Sequence, residues 1–114
     1  MTWDEAVAFA LSLPDTIMST SYGKPAVKVA SNERAFLFPS HEPDTSFGVA
    51  IDLDTIEILK ETDPASFWQT QHYVGWEGVL IRYDSADEQR VRDVIARSRD
   101  FVAAKPKARP RKRK

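Results

Sequence analysis

The sequence of 114 residues contains no cysteine, two histidines and four glycines. The absence of cysteine excludes a disulfide framework, a thiolate nucleophile and a cysteine-rich zinc site. No apolar run reaches the length of a membrane helix, and the first five residues are acidic where a secretory signal would be basic and then apolar. We therefore expect a cytoplasmic protein without membrane contact, whose length fits one domain with one core.

Residues suited to catalysis are few. A nucleophile–base pair would have to combine His72 with a serine, and no strand-to-helix nucleophile elbow is present. His41 lacks a second histidine at helical spacing, which excludes metalloprotease chemistry. Asp52 and Asp54 are too few for a calcium loop and are better explained as helix caps. The sequence therefore predicts a protein that is not an enzyme and that needs neither a metal nor a cofactor.

Charge is divided unevenly along the chain. Residues 1–104 carry 9 basic and 17 acidic side chains, a net charge of −8, whereas seven of the 16 basic residues lie in the last ten positions. These seven are Lys105, Lys107, Arg109, Arg111, Lys112, Arg113 and Lys114. With two prolines and no core-forming side chain, this segment is predicted to be a disordered basic tail, 105–114, that follows a domain at 1–104.

Such a tail has two interpretations. Flexible cations displace counterions from phosphates and give sequence-independent, salt-dependent binding to nucleic acid. The other interpretation is a solubilising extension, or one that folds back on the acidic body. The body itself repels polyanions, so long-range attraction must come from the tail or from a local basic patch.

The hydrophobic pattern predicts an α+β domain. A capping box at Thr2 and Glu5 starts a first helix that Pro14 ends. Similar boxes are predicted to start a short helix at Asp54 and a final helix at Ser85, the latter with a buried stripe at helical spacing. That stripe consists of Val91, Val94, Ile95, Ser98 and Val102.

Alternating apolar residues predict five strands around these helices. They lie at Val27–Val29, Phe36–Phe38, Phe47–Ile51, Phe67–Trp68 and Val79–Tyr83, and the segment 19–25 is predicted to be a loop. The order α-β-β-β-α-β-β-α favours two layers, with helices on one face of a mainly antiparallel five-stranded sheet.

Two separated motifs resemble the MmcQ/YjbR family. The first is SYGKPAVKV at 21–29, and the second is DPASF at 63–67, followed by QHYVGW at 71–76 and VLIR at 79–82. Members of that family are small α+β domains with a fold like CyaY or the secretion chaperones, and they are described as DNA-binding proteins with a "double wing" motif. The resemblance implies a DNA-binding accessory protein. The alternative is a protein- or peptide-binding adaptor like the secretion chaperones, and a monomer is favoured.

The first motif suggests a phosphate site. Tyr22, Gly23 and Lys24 bring together a phenol, a glycine backbone and an ammonium group, and Lys28 follows on the next strand. Lysines and backbone amides of such a turn can hold a phosphate. The alternative is a tight turn that starts a strand, with its lysines in solvent.

The second motif suggests a stacking site. His72, Tyr73, Trp76 and Arg82 combine aromatic rings with a cation, and such groups stack on bases or other flat ligands. In the alternative interpretation, the two larger rings cap the core and His72 donates to a loop carbonyl. If both motifs lie at one end of the sheet, they line a shared groove.

Overall fold

The computed structural model describes residues 1–108, which contain three α-helices, one 3-10 helix and six strands. They are α1 Trp3–Leu11, β1 Thr16–Ser21, β2 Lys24–Val29, β3 Arg34–Pro39, β4 Ser46–Ala50, α2 Leu53–Thr62, β5 Phe67–Trp68, a 3-10 helix Gln71–Tyr73, β6 Gly78–Arg82 and α3 Glu88–Ala103. The strands form one sheet in the order β1-β2-β3-β4-β6-β5, and every neighbouring pair is antiparallel. This confirms the α+β class and the antiparallel sheet.

The sheet has six strands where five were predicted. The additional strand is β1, part of which was predicted to be a loop, and it pairs with β2 from Thr16↔Val29 to Ser21↔Lys24. Tyr22 and Gly23 join the two strands with φ values of 53° and 79°. Two positive φ values are typical of a type I′ turn, whose twist matches that of a hairpin. A glycine is therefore required at position 23 by the turn itself.

Helix starts follow the predicted chemistry, but not always at the predicted residue. Thr2 and Glu5 form the predicted capping box of α1. The N-cap of α2 is Asp52 and not Asp54, because the Asp52 carboxylate accepts a hydrogen bond from the Thr55 amide at 3.0 Å. Burial raises the pKa of Asp52, but the hydrogen bonds from Thr55 outweigh it and hold the pKa below its ordinary 3.8. The charged cap therefore stabilises the fold above that pH, and this contribution is lost as the pH falls through the lowered value.

The final helix confirms the predicted stripe and corrects its cap. All five stripe residues of α3 are buried. The N-cap is Asp87, which accepts from the Arg90 amide at 3.0 Å. Ser85, the predicted cap, instead shares a hydrogen bond of 2.7 Å with the hydroxyl of Ser66. Among residues 1–108 there is no helix with both the length and the apolar character that crossing a membrane requires.

One core joins the three helices to a single face of the sheet. The register places four fully buried residues side by side across it: Val27, Leu37, Val49 and Val79. A bulge interrupts the pairing of β2 and β3, where Val27 faces Leu37 but Lys28 faces Ala35. Because a bulge sets two residues against one, Phe36 and Leu37 both enter the core. Phe38 lies on the opposite face, which corrects the predicted Phe36–Phe38 alternation.

Contacts with the domain extend to Ala108, four residues beyond the predicted boundary. The contacts that hold the segment after α3 include Lys105 Nζ to Glu77 Oε1 at 3.2 Å, Arg34 Nε to the Pro106 carbonyl at 2.6 Å, Lys107 Nζ to Glu33 Oε2 at 3.1 Å, and the Ala108 amide to the Asn32 carbonyl at 2.8 Å. Residues 105–108 therefore lie back on the domain. The other predicted tail residues, Arg109, Arg111, Lys112, Arg113 and Lys114, lie outside the described residues.

Candidate nucleic-acid interface

A cleft of about 730 Å³ brings the two sequence motifs together. Its lining includes Tyr22, Lys24 and Lys28 from the first motif and Tyr73 and Trp76 from the second. Further lining groups come from the turn before β3, from β3, from the loop before β6, and from the end of α3 and the segment after it: Glu33, Arg34, Phe38, Glu77, Phe101, Lys105 and Ala108. With Lys105, six of the predicted site residues therefore share one concave surface, which we call the cleft.

The hairpin β1–β2 positions the two lysines of the first motif. Lys24 is the first residue of β2 and is exposed, while Lys28 is half-buried. Four positions apart on a strand, they point to the same side of the sheet. Within residues 1–108 neither ammonium group forms an ion pair with a carboxylate. Both charges are therefore available to an anion in the cleft.

The two carboxylates in the cleft are each paired with a lysine from the segment after α3. Glu77 accepts from Lys105, whose ammonium also lies 4.6 Å from the centre of the Phe101 ring. Glu33 accepts from Lys107. Because these pairs neutralise the acidic side chains, the charge left in the cleft is that of Lys24, Lys28 and Arg34. The cleft is consequently positive on a domain whose net charge is negative.

Aromatic rings continue from the cleft across the open face of the sheet. Successive ring centres are 5.8 Å apart for Phe38–Trp76, 4.8 Å for Trp76–Tyr73, 6.3 Å for Tyr73–His41 and 5.9 Å for His41–Trp68, and Arg82 Cζ lies 4.7 Å above the Trp68 ring. We call this series, from Phe38 to Arg82, the aromatic path. It connects the positive cleft with Arg82, a cation that lies outside the cleft.

Two glycines allow rings of the aromatic path to rest on the strands. A Cβ atom at Gly48 would overlap the ring of Phe38, and one at Gly78 would overlap the ring of Trp76. Each ring therefore lies against strand backbone with no side chain between them. The missing side chains on β4 and β6 set the height at which the two rings lie above the sheet.

Gln69 holds the loop that carries the second motif. Its side-chain amide donates to the carbonyls of Tyr73, Trp76 and Gly78 at 3.1, 3.3 and 2.8 Å, and its oxygen accepts from Lys60 at 2.9 Å. One side chain thus fixes three points of the loop. Gln69 was not among the predicted site residues, because nothing in the local sequence separates it from an exposed polar residue.

Two predicted residues lie away from the cleft. Arg82 is at the far end of the aromatic path, over Trp68. His72 is exposed, and within the described part of the chain its side chain makes neither a hydrogen bond nor a ring contact. The loop-carbonyl bond considered for His72 is therefore not formed.

The cleft and path also contain residues that were not among the predicted binding residues. They include Arg34, Phe38, His41 and Trp68. The apparent alternation of Phe36 and Phe38 predicts a core position for Phe38, and the sequence predicts a strand at Trp68 without indicating a role for its ring. No group of three histidine, aspartate or glutamate side chains within residues 1–108 is arranged to hold a metal ion.

Comparisons with known proteins returned no match to a family model, a curated protein or a solved structure. The resemblance of the two motifs to the MmcQ/YjbR family therefore stays a prediction from the sequence.

Proposed function

We propose that this chain is a nucleic-acid-binding accessory protein, of the MmcQ/YjbR type that its two motifs suggest, and that it binds phosphates and bases in the cleft. The proposal depends on one observation: Lys24, Lys28 and the rings of Tyr73 and Trp76 line one concave surface. Neither lysine forms an ion pair among residues 1–108. Cations that contact phosphates beside rings that stack on bases are the usual elements of sequence-tolerant nucleic-acid binding.

The distribution of charge supports the same function. Residues 1–108 carry 11 basic and 17 acidic side chains, a net charge of −6, so the domain as a whole repels a polyanion. Five of those 11 basic residues nevertheless line the cleft or pair with a residue that lines it: Lys24, Lys28, Arg34, Lys105 and Lys107. Ala108 also lines the cleft, and five basic residues follow it in the sequence.

A salt titration tests this proposal. In the full-length chain, Arg109, Arg111, Lys112, Arg113 and Lys114 are replaced together by glutamine, and binding to labelled single-stranded and duplex DNA is followed by fluorescence anisotropy. The wild type is expected to bind with a steep salt dependence. On single strands the slope of log K against log[salt] should fall by about 3.5 in the variant, since each phosphate contact contributes ~0.7.

Two outcomes of that titration are informative. Residual binding by the variant measures the contribution of the cleft alone. If the wild type binds neither DNA form at about 50 mM salt, the electrostatic basis of the proposal is wrong, because non-specific affinity is greatest at low salt.

The edge of the sheet favours a second candidate, a protein- or peptide-binding adaptor. Strand β1 is at one end of the strand order. Its Ile17 and Met18 are 44% and 45% exposed, and the strand has neither a charge nor a proline. Edge strands usually carry such features as protection against pairing with another chain. An extended peptide could therefore add to β1 through main-chain hydrogen bonds.

An NMR titration distinguishes this candidate. A peptide that copies residues 16–21 is added to the isotope-labelled chain, and the expected result is a shift of the backbone amides of β1. Met18→Lys should weaken the effect about tenfold by placing a charge on the strand. Ile58→Lys is the matched control, because Ile58 is also exposed but lies on α2. Unchanged β1 amides at saturating peptide would contradict strand addition.

A further inference from the structure

We infer that the cleft and the aromatic path together select single-stranded nucleic acid over duplex, an inference that rests on the proposed function and specifies its ligand. Bases would stack along the path from Trp76 towards Trp68. Phosphates would be held by Lys24 and Lys28 at one end and by Arg82 at the other.

Ring orientation supports base stacking. One face of the Trp76 ring rests on the backbone at Gly78, so its other face points away from the sheet. Trp76 is 45% exposed, and the side chain of His41 is 46% exposed. The exposed parts of these rings suit a strand whose bases are unstacked, because every base has a flat face that can lie on an aromatic ring.

The far end of the path supplies a further contact for the backbone of the strand. The Arg82 guanidinium lies 4.7 Å above the Trp68 ring, and within residues 1–108 it forms no ion pair. A guanidinium in this position can donate two parallel hydrogen bonds to a phosphate. The aromatic path therefore has cations at both ends and rings between them. This arrangement suits a single nucleic-acid strand, whose phosphates would contact the cations while its bases contact the rings.

A duplex fits this surface less well. Its bases are stacked on one another inside the helix, so the rings of the path cannot reach their faces. A duplex also carries one charge for about every 1.7 Å of its axis, and the acidic domain repels that charge density. With Glu33 and Glu77 paired, three cations remain in the cleft, and they are few compared with the phosphate charges of a duplex.

Competing ligands of equal charge test the inference with the full-length chain. Affinities are measured by anisotropy for an oligothymidine of about 15 nucleotides, an oligouridine of the same length and a DNA hairpin duplex with the same number of phosphates. Both single strands are expected to bind at least about tenfold more tightly than the duplex, with quenching of tryptophan fluorescence. The ratio between the first two shows whether DNA or RNA is preferred.

The failures are distinguishable. Equal or tighter binding of the duplex overturns single-strand selection and leaves the proposed function in place. Absence of binding to all three ligands overturns both.

Variants locate the contact on the path. Gly78→Ala displaces the Trp76 ring without removing it, and Arg82→Gln removes the distal cation, so each should lower single-strand affinity about 5- to 100-fold and leave duplex affinity unchanged. Trp3→Phe is the control, because the Trp3 ring packs against Phe47 in the core. It should keep both the selectivity and the quenching. If Arg82→Gln and Gly78→Ala both retain the wild-type ratio of single-strand to duplex affinity, the path is not the binding surface.

Discussion

Replacing Lys24 and Lys28 together by glutamine is expected to lower the affinity for single-stranded DNA about 100-fold at low salt. Both ammonium groups line the cleft without an ion pair among residues 1–108, and a hydrogen bond from a charged group contributes ~1.5 kcal/mol. The slope of log K against log[salt] should also fall by about 1.4, since two phosphate contacts are lost. Anisotropy titrations at several salt concentrations measure both quantities.

The matched control is Arg92→Gln. Arg92 lies on α3, forms an exposed ion pair with Glu88 and does not line the cleft, so its loss changes the net charge without changing the proposed site. Its affinity and salt slope should stay close to those of the wild type. Because Arg92→Gln removes one charge and the lysine variant two, a loss of log K half as large in Arg92→Gln would show that net charge, and not the cleft, determines binding. Thermal unfolding of all three proteins should coincide.

Asn32→Ala is expected to destabilise the domain by about 2–3 kcal/mol and to lower its Tm by about 10 °C. Asn32 is buried, and its side-chain amide donates to the carbonyls of Val102 at 2.7 Å and Lys105 at 3.2 Å. Its side-chain oxygen accepts from the Arg34 amide at 3.1 Å. Alanine would remove one donor from each carbonyl and the side-chain acceptor of the Arg34 amide, although the Val102 carbonyl would still accept from the Lys105 amide at 3.0 Å. A buried polar group that loses its partner costs ~1–3 kcal/mol. Calorimetry measures the change directly.

Lys107→Gln separates this effect from that of the neighbouring ion pair. Lys107 and Glu33 are 69% and 56% exposed, and exposed ion pairs contribute only ~0–1 kcal/mol. The control variant should therefore unfold within about 3 °C of the wild type. An Asn32→Ala protein as stable as this control would show that the amide does not hold the end of α3 to the β2–β3 turn.

The sequence predicts most reliably those elements whose burial follows a simple period. In α3, five apolar or small residues at helical spacing are all buried, because one side of a helix meets the core continuously. Strand β1 has no such pattern, since it lies at the edge and its exposed positions include Ile17 and Met18. An edge strand has a neighbour on one side only, and its sequence is correspondingly less constrained.

Long-range geometry explains what the sequence could not predict. The bulge between β2 and β3 moves Phe38 to the open face, and it is visible only in the register of two strands. The contacts of Gln69 and the rings over Gly48 and Gly78 join residues that local spacing does not relate. Residues of the two motifs line one cleft because β1, β2 and the loop before β6 meet there. Arg82 points elsewhere because it is at the other end of β6.

Under the proposed function, the hydrogen bond from the Ala108 amide to the Asn32 carbonyl would connect the cleft to the basic residues that follow in the sequence, as two linked binding modules. In the proposed complex, a nucleic acid held by the cleft meets the five following cations at an effective concentration that, for short connections, is in the millimolar range. Two contacts that are weak alone would then reinforce each other as a bivalent interaction. Lengthening the connection after Ala108 with a flexible spacer would reduce this avidity while leaving the composition of both modules unchanged.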